Sequence, residues 1–242
     1  MTRLQSELTR LYLAAPATPE AGTPTFFDAQ GRVRALVLEV AQPVAWDTLS
    51  RLWQGVQADL ELPAPAIAVS GTDGLQLWFS LEGPIEVAVA HAFLESLRMR
   101  WLADVAPTRV RLLPDPAAPT RAAPRVPAPY ADGEHWSAFV APDLAAIFSE
   151  TPWLDIEPGD EGQAALLRGL QSIKPAAFAD ALARLRAPAH GTSVAAPAAS
   201  AIAPSAPTDD PRAFLLRVMN DERVDLALRI EAAKALLPRP RD

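Results

Sequence analysis

The sequence predicts an α/β (α+β) fold, a sheet with helices packed on it, from three observations. Residues 34–40 form a nearly continuous apolar run, typical of a strand buried on both faces. Residues 67–81 read as a hairpin, with polar and apolar side chains alternating in its second strand. Apolar residues at helical spacing fill 44–60 and 87–102. With a last strand at 108–113, this gives a βαββαβ-like order.

The composition limits the class of protein. The chain has 242 residues, half of them apolar, which is enough for one medium domain and a smaller segment. A net charge of −7 argues against a protein that coats nucleic acid through bulk positive charge. A local basic group remains possible at Arg109, Arg111, Arg121 and Arg125. The absence of cysteine excludes a disulfide framework and a thiolate metal site.

The first residues are polar and charged, unlike a secretory signal, and no apolar run approaches the length of a membrane span. The sequence therefore predicts a cytoplasmic protein without a membrane partner.

Changes in composition divide the chain into five segments. Residues 1–114 form the α/β domain, and the proline-rich residues 115–134 form a connector or a strap over the surface. Residues 135–187 are predicted to be a mainly helical segment docked on the first domain. The Ala/Pro-rich stretch 188–210 is typical of a flexible linker. Residues 211–238 are predicted to form a hairpin of two short helices, with Asp210 as N-cap.

Within the docked segment, order is expected from 135 to 140. The sequence then predicts a short helix from Pro142, a helix that carries Leu166, Leu167, Leu170 and Ile173, and a helix from Pro175.

The hairpin and the strand before it resemble a known family. Glu39 lies near the end of the first strand, and residues 70–79 read Ser-Gly-x-x-Gly-Leu-x-Leu-Trp-Phe. This arrangement resembles the archaeo-eukaryotic primase and primase-polymerase superfamily over residues 1–114. In that superfamily two acids on the first strand bind divalent metal, a hairpin His contacts the incoming nucleotide, and a third acid follows on a later strand. The resemblance implies a primase-polymerase-like sheet with packed helices.

The chain departs from the family pattern at most of these positions. Glu39 matches the first acid, but Ala41 stands where its partner is expected and Gln76 where the His is expected. Arg109 and Arg111 occupy the last strand, where an acid is expected. The resemblance therefore implies a catalytically degenerate copy, with Glu39 as a vestigial metal ligand. No cofactor is expected, and Mg²⁺ or Mn²⁺ would bind only if the protein were active.

Each candidate site residue also has a structural interpretation. Glu39 could instead form a surface salt bridge at the sheet edge. Gln76 could hydrogen-bond a phosphate or base, or be a polar residue on the open face of a hairpin. The turn from Ser70 through Gly71 to Gly74 could hold phosphate through its backbone amides, although such turns are common.

Trp78 could stack on a base, or be half-covered by the next segment. Arg109 and Arg111 could contact phosphate, or lie on a solvated strand face. The three histidines share no metal-ligand spacing, so they predict no metal cluster.

Residues 210–238 show a second resemblance. Their pattern Asp-Pro-x-x-Phe-Leu, then Met-Asn-Asp and Ala-Ala-Lys-Ala-Leu-Leu-Pro, is similar to a helical hairpin of phage small-terminase-like proteins. A hairpin this short is marginal alone, so residues 211–237 are expected to bind the first domain, a second copy or another protein.

Three functions remain open. The favoured one is a non-catalytic accessory or scaffold protein of nucleic-acid transactions, from a phage or mobile element, with a possible nucleic-acid or nucleotide partner. The second is an active nucleotidyltransferase that has recruited other acids, for which Glu86 and Asp104 are available. The third is an interaction module that acts through residues 211–237. A second carboxylate within metal-bridging distance of Glu39 would favour the enzyme.

Overall fold

A computed structural model describes residues 1–14, 25–43, 46–118, 123–131 and 133–187 of the chain. The predicted linker at 188–210 and the predicted hairpin at 211–238 lie outside these residues. The described residues have an α+β fold, as predicted, with one antiparallel sheet between two layers of helices.

Six strands make up the sheet in the described part of the chain. They are β1 (Val33–Ala41), β2 (Ala66–Val69), β3 (Gly74–Ile85), β4 (Val110–Leu113), β5 (Ala128–Pro129) and β6 (Trp136–Val140). Their order across the sheet is β4-β1-β3-β2-β6-β5, and neighbouring strands run antiparallel. β1 therefore lies inside the sheet, between β3 and β4.

The helices cover both faces of this sheet. They are α1 (Arg3–Leu11), α2 (Trp46–Ala58), α3 (Val87–Trp101), α4 (Asp160–Arg168) and α5 (Pro175–Arg186). Helices α2, α3 and α5 contribute to the core on one face, and α1 and α4 to the core on the other. The elements from β1 to β4 confirm the predicted βαββαβ order. With the strand order 4-1-3-2, this is a ferredoxin-like topology.

The apolar run at 34–40 is explained by cover on both faces of β1. Leu36, Leu38 and Val40 point into the core formed with α2, α3 and α5. Ala35 and Val37 point into the core formed with α1 and α4. A strand buried on both faces reads as a continuous apolar run, because neither set of alternate side chains meets water.

The helix predicted around 166–173 is shorter than expected. α4 ends at Arg168, so Leu170 and Ile173 lie beyond it. The Ile173 amide donates to the Ser80 carbonyl at 2.7 Å, and Ile173 forms a parallel bridge with Leu81. Helical spacing was misleading here, because the buried Ile173 packs as an extended residue beside β3.

Two other predicted boundaries were wrong. The strand predicted at 108–113 begins at Val110, because Pro107–Arg109 forms a 3-10 turn. The helix predicted from Pro142 is a 3-10 helix at Ala145–Ser149.

The proline-rich connector contributes to the sheet. Ala128–Pro129 pairs with β6, and the Ala128 amide donates to the Ser137 hydroxyl at 2.9 Å. Beyond β5, the Gln163 side chain accepts from the Phe139 amide at 2.8 Å and donates to the Phe139 carbonyl at 3.0 Å. The Gln163 amide group thus satisfies backbone groups of β6 that β5 does not reach.

No helix among the described residues combines the length and the apolar sequence that a membrane crossing requires.

Helix α2 contains a buried glycine, Gly55, which we expect to be required by packing. A Cβ added to Gly55 would lie 2.5 Å from the Trp101 ring of α3. Gly55→Ala should destabilise the protein by about 1–2 kcal/mol, because overpacking outweighs the better helix propensity of alanine. Denaturant unfolding measures this change.

Gly162→Ala is the matched control, because Gly162 lies in α4 with no atom within 4 Å of an added Cβ. It should stabilise the protein by about 0.5–1 kcal/mol. Equal effects of the two substitutions would contradict the packing role of Gly55.

Candidate functional site

A row of polar residues crosses the sheet on the face covered by α1 and α4. Glu39 on β1 is the direct cross-strand partner of Arg111 on β4 and of Gln76 on β3. The strand register therefore brings together three of the residues that the sequence singled out. Trp78 lies two residues beyond Gln76, on the same face of β3.

These side chains form a continuous chain of hydrogen bonds. Arg111 Nη1 donates to Glu39 Oε1 at 2.6 Å, and Gln76 Nε2 donates to Glu39 Oε2 at 2.7 Å. Trp78 Nε1 donates to Gln76 Oε1 at 2.8 Å. Both carboxylate oxygens of Glu39 thus have a donor, and both polar ends of Gln76 are used.

The row runs from solvent into the core. Glu39 is 4 % exposed and Gln76 is fully buried, whereas the Arg111 side chain is 53 % exposed. A carboxylate is costly to bury unless it is paired and hydrogen-bonded, and Arg111 and Gln76 supply both conditions. The salt bridge predicted for Glu39 exists, but its predicted position on the surface was wrong. Gln76 is likewise buried, not on an open face.

Trp78 lies inside an aromatic cluster. It is 1 % exposed, and its ring contacts Phe26, Phe139 and Tyr12, the last edge-on at 5.2 Å between centroids. The interpretation of a half-covered Trp was wrong, because α1 brings Tyr12 over the sheet. At 1 % exposure, the indole presents almost no surface to solvent on which a base could stack.

The hydroxyl of Tyr12 has no hydrogen-bond partner among the described residues. Burial raises the pKa of this hydroxyl well above its ordinary value of 10.0, with a smaller opposing effect of Arg10. Tyr12 therefore stays un-ionised, as its apolar surroundings require.

The turn before β3 is held by its own serine. Ser70 Oγ accepts hydrogen bonds from the backbone amides of Thr72, Asp73 and Gly74, at 3.2, 3.2 and 2.9 Å. The Gly71 amide donates to the Pro152 carbonyl at 3.0 Å. The amides predicted to cradle a phosphate are thus engaged within the protein.

Packing explains both glycines of this turn. Gly71 has φ +81°, and an added Cβ would lie 2.8 Å from the Ser137 backbone nitrogen. An added Cβ at Gly74 would lie 2.9 Å from Glu39 Cγ. The first glycine is required by a left-handed backbone conformation and the second by close approach to the buried acid.

Arg109 has an intramolecular role as well. Its Nη2 donates to the Ala41 carbonyl at 3.1 Å and also to the Pro43 carbonyl. Arg109 therefore fastens the loop after β1 to the start of β4. Both arginines predicted to contact phosphate are engaged in contacts within the protein.

The residues around Glu39 do not fit the divalent metal that the family resemblance implies. Both oxygens of Glu39 accept hydrogen bonds, and the positive charge of Arg111 opposes a metal ion there. In the described part of the chain, no group of three or more His, Cys, Asp or Glu side chains is placed to hold a metal.

The acids proposed for the enzyme alternative lie elsewhere. Glu86 precedes α3 and is ten residues beyond Gln76 along the chain, about 30 Å in an extended strand. Asp104 follows α3, on the other side of the sheet, 4.0 Å from Arg51. Asp73 is the carboxylate that the sequence reasoning missed: its Oδ1 lies 3.5 Å from Arg111 Nη1. Its position next to Gly74 in the hairpin motif was the available signal.

Two pockets lie near the site. A cavity of about 610 Å³ lies between α1 and the connector, with Phe26, Trp78, Trp136 and Arg125 among its lining residues. A smaller, more polar one of about 370 Å³ lies between α3 and β4. In the smaller one, a hydrogen bond from Arg98 lowers the pKa of Glu95.

Comparison with known proteins adds no family assignment: no family model matches the chain, and no curated protein does so either. The primase-polymerase resemblance therefore stays a prediction, as does nucleotide binding at the residues named above.

Gln76 should be essential to the stability of this row. Gln76→Met keeps the length of the side chain but leaves Glu39 Oε2 and Trp78 Nε1 buried without a partner. We expect a loss of about 2–4 kcal/mol in the free energy of unfolding. Urea denaturation monitored by circular dichroism measures it.

Gln57→Met is the control, because Gln57 Nε2 donates to the Trp53 carbonyl on the partly exposed side of α2. Its cost should stay within about 0.5 kcal/mol. A Gln76→Met protein as stable as this control would show that the row contributes little.

Proposed function

We propose that this protein is a non-catalytic accessory or scaffold protein of nucleic-acid transactions, built on a primase-polymerase-like domain and derived from a phage or mobile element. The observation that carries the proposal is the state of Glu39. Its carboxylate is buried, and both of its oxygens are bound by Arg111 and Gln76. A cytoplasmic location remains part of the proposal.

The non-catalytic part follows from what metal-dependent nucleotidyl transfer requires. Carboxylates in such sites present free oxygens to Mg²⁺ or Mn²⁺, which in turn bind the phosphates. Glu39 presents none, and a guanidinium stands beside it. An active nucleotidyltransferase, the alternative, would need Arg111 and Gln76 to release the acid.

The accessory part rests on the family resemblance and on the position of the row. Glu39 and Gln76 are cross-strand partners, so the first acid and the hairpin position of the family pattern adjoin in this fold. The residues predicted to bind nucleotide or nucleic acid all make contacts within the protein. They are Ser70, Gly71, Gly74, Gln76, Trp78, Arg109 and Arg111. Strand or nucleotide binding there would need the row to open, so we propose that partners are bound mainly elsewhere.

Residues 211–237 are the segment we propose for a protein partner or for self-association. The sequence predicts two short amphipathic helices here, and a pair of that length would bury too little apolar surface to be stable alone. The linker predicted at 188–210 would let this segment reach a partner without disturbing the first domain.

Primer synthesis and extension by the purified full chain test the catalytic state. With Mg²⁺ or Mn²⁺ and all nucleotides, wild type and Glu39→Ala should both yield no product above background, while circular dichroism shows that each is folded. Extension by wild type that is lost in Glu39→Ala would establish an enzyme and end the proposal. Extension that persists in the variant would indicate a contaminating polymerase.

Deletion of residues 211–238 tests the partner segment. The Tm of the remaining chain should change by no more than about 2 °C, since the core between the sheet and its helices is intact. Analytical ultracentrifugation should show that self-association of the full chain is lost. If deletion alters neither self-association nor the binding of an identified partner, the segment has no such role.

A further inference from the structure

The sheet ends on one side at β4, and among the described residues no strand lies beyond it. β1 pairs with β4 over all four residues of the shorter strand, so one edge of β4 is covered and the other is open. An edge strand presents backbone amides and carbonyls to which a further strand can bind.

Two hydrogen bonds show in which direction the backbone groups of β1 point. The Gln42 amide, just after β1, donates to the Asp73 carbonyl on the side of β3. The Ala41 carbonyl accepts from the Arg109 side chain on the side of β4. Because these directions alternate along an antiparallel strand, the odd-numbered residues of β1 bond with the backbone of β4.

The register then identifies the groups of β4 at the open edge. Arg111 and Leu113 lie opposite odd-numbered residues of β1, so the backbone groups of Val110 and Leu112 point away from β1. The Val110 amide donates to the Pro107 carbonyl in the turn before β4. The Leu112 amide and the carbonyls of Val110 and Leu112 remain, and they have no hydrogen-bond partner in the part of the chain that the structure describes.

The pocket of about 370 Å³ between α3 and β4 borders this strand along its whole length. All four residues of β4 line it, and α3 lines it with His91, Glu95 and Arg98. Leu112 packs on the side of the sheet that α3 covers. A residue opposite Leu112 on an added strand would point to the same side, toward this pocket.

The charged side chains around the pocket already have contacts within the protein. Glu95 accepts two hydrogen bonds from Arg98, at 2.6 and 2.8 Å, and Arg111 belongs to the buried row on β1, β3 and β4. Asp115 accepts from the backbone amide two residues further along the chain. An apolar side chain therefore suits the pocket better than a charged one, which would disturb these contacts.

We propose that β4 and this pocket bind an extended peptide of a partner protein, which adds a strand antiparallel to β4. One residue of the peptide exchanges two backbone hydrogen bonds with Leu112. The residue two positions along donates its amide to the Val110 carbonyl. The peptide residue opposite Leu112 is apolar and fills the pocket below α3.

A second copy of this chain is a poorer occupant of the edge. If two β4 strands paired about Leu112, Pro114 would lie opposite Val110, and a proline has no amide to donate to the Val110 carbonyl. If they paired about Arg111, two guanidinium groups would lie directly opposite each other, which is destabilising. A peptide without these residues can use all the open groups of β4.

Random heptapeptides displayed on phage and panned against the purified full chain supply the probe. Selected peptides should bind saturably, at one per chain, and should share an apolar residue at one position. N-methylation of that residue should weaken binding at least about 10-fold, because it removes a backbone hydrogen bond and crowds the edge. N-methylation of the next residue, whose amide points away from β4, should change the affinity less than about 2-fold.

Amide hydrogen exchange measured by NMR locates the bound peptide. The Leu112 amide should exchange rapidly in the protein alone and should slow at least about 10-fold when a selected peptide is added. The amides of Arg111 and Leu113, which bond with β1, should be protected both with and without the peptide.

His91→Trp tests the pocket, because the larger side chain would fill it from α3. This variant should bind the selected peptides at least about 10-fold more weakly than wild type does. Met99→Trp is the matched control, since Met99 lies on the same helix, is 58 % exposed and does not line the pocket. It should leave the affinity unchanged, and circular dichroism checks that both variants are folded.

Four outcomes would each overturn the proposal: panning that yields no binding peptide, equal effects of N-methylation at successive residues, a Leu112 amide already protected in the protein alone, and full affinity in folded His91→Trp. If His91→Trp does not fold, the methylation and exchange measurements on wild type decide. None of these measurements involves nucleotide incorporation or residues 211–238, so the inference and the proposed function can fail independently.

Discussion

The local structure depends on one constraint: the Glu39 carboxylate lies on a strand that is buried on both faces of the sheet. Glu39 belongs to a strand covered by helices on both faces, where an unpaired charge would cost several kcal/mol. Arg111 brings a positive charge to it from the neighbouring strand, and Gln76 binds the second oxygen from the other side. The acid is stable there because the register of β1, β3 and β4 sets these residues opposite one another.

The surrounding sequence follows from that arrangement. Gly74 leaves room for Glu39, and Gly71 lets the turn approach the β6 backbone. Ser70 closes the turn by accepting hydrogen bonds from three backbone amides, so the protein itself satisfies these amides. The Ser70–Gly74 motif, which suggests phosphate recognition, is therefore explained equally well by the close packing of a hairpin against a buried acid. The chemical meaning of the motif depends on whether its amides are free, and here they are not.

The sequence predicted a sheet with packed helices, and the order of its elements along the chain, because the necessary signals are local. The apolar run of β1, the alternation of β3 and the helical stripes of α2 and α3 each lie within a few residues. Alternation also placed Gln76 and Trp78 on one face, but it could not show that Tyr12 and α4 cover this face, since those residues are distant in sequence. Asp73 was missed for a similar reason: its proximity to Arg111 depends on the pairing of β1 with both β3 and β4, which no local pattern in the sequence shows.

The mutual dependence of Arg111, Glu39 and Gln76 restricts the order in which their codons could change. An acid at position 111 would add a third carboxylate to Glu39 and Asp73 with no positive charge between them. An apolar residue at position 76 would leave two buried polar groups without partners. Glu39→Gln would remove the buried charge, but its amide NH₂ would face a donor, either Arg111 Nη1 or Gln76 Nε2, so this step also leaves a hydrogen bond unmade. Single substitutions at these three positions therefore tend to leave a charge or a hydrogen-bonding group unpaired, and few orders of substitution avoid such an intermediate.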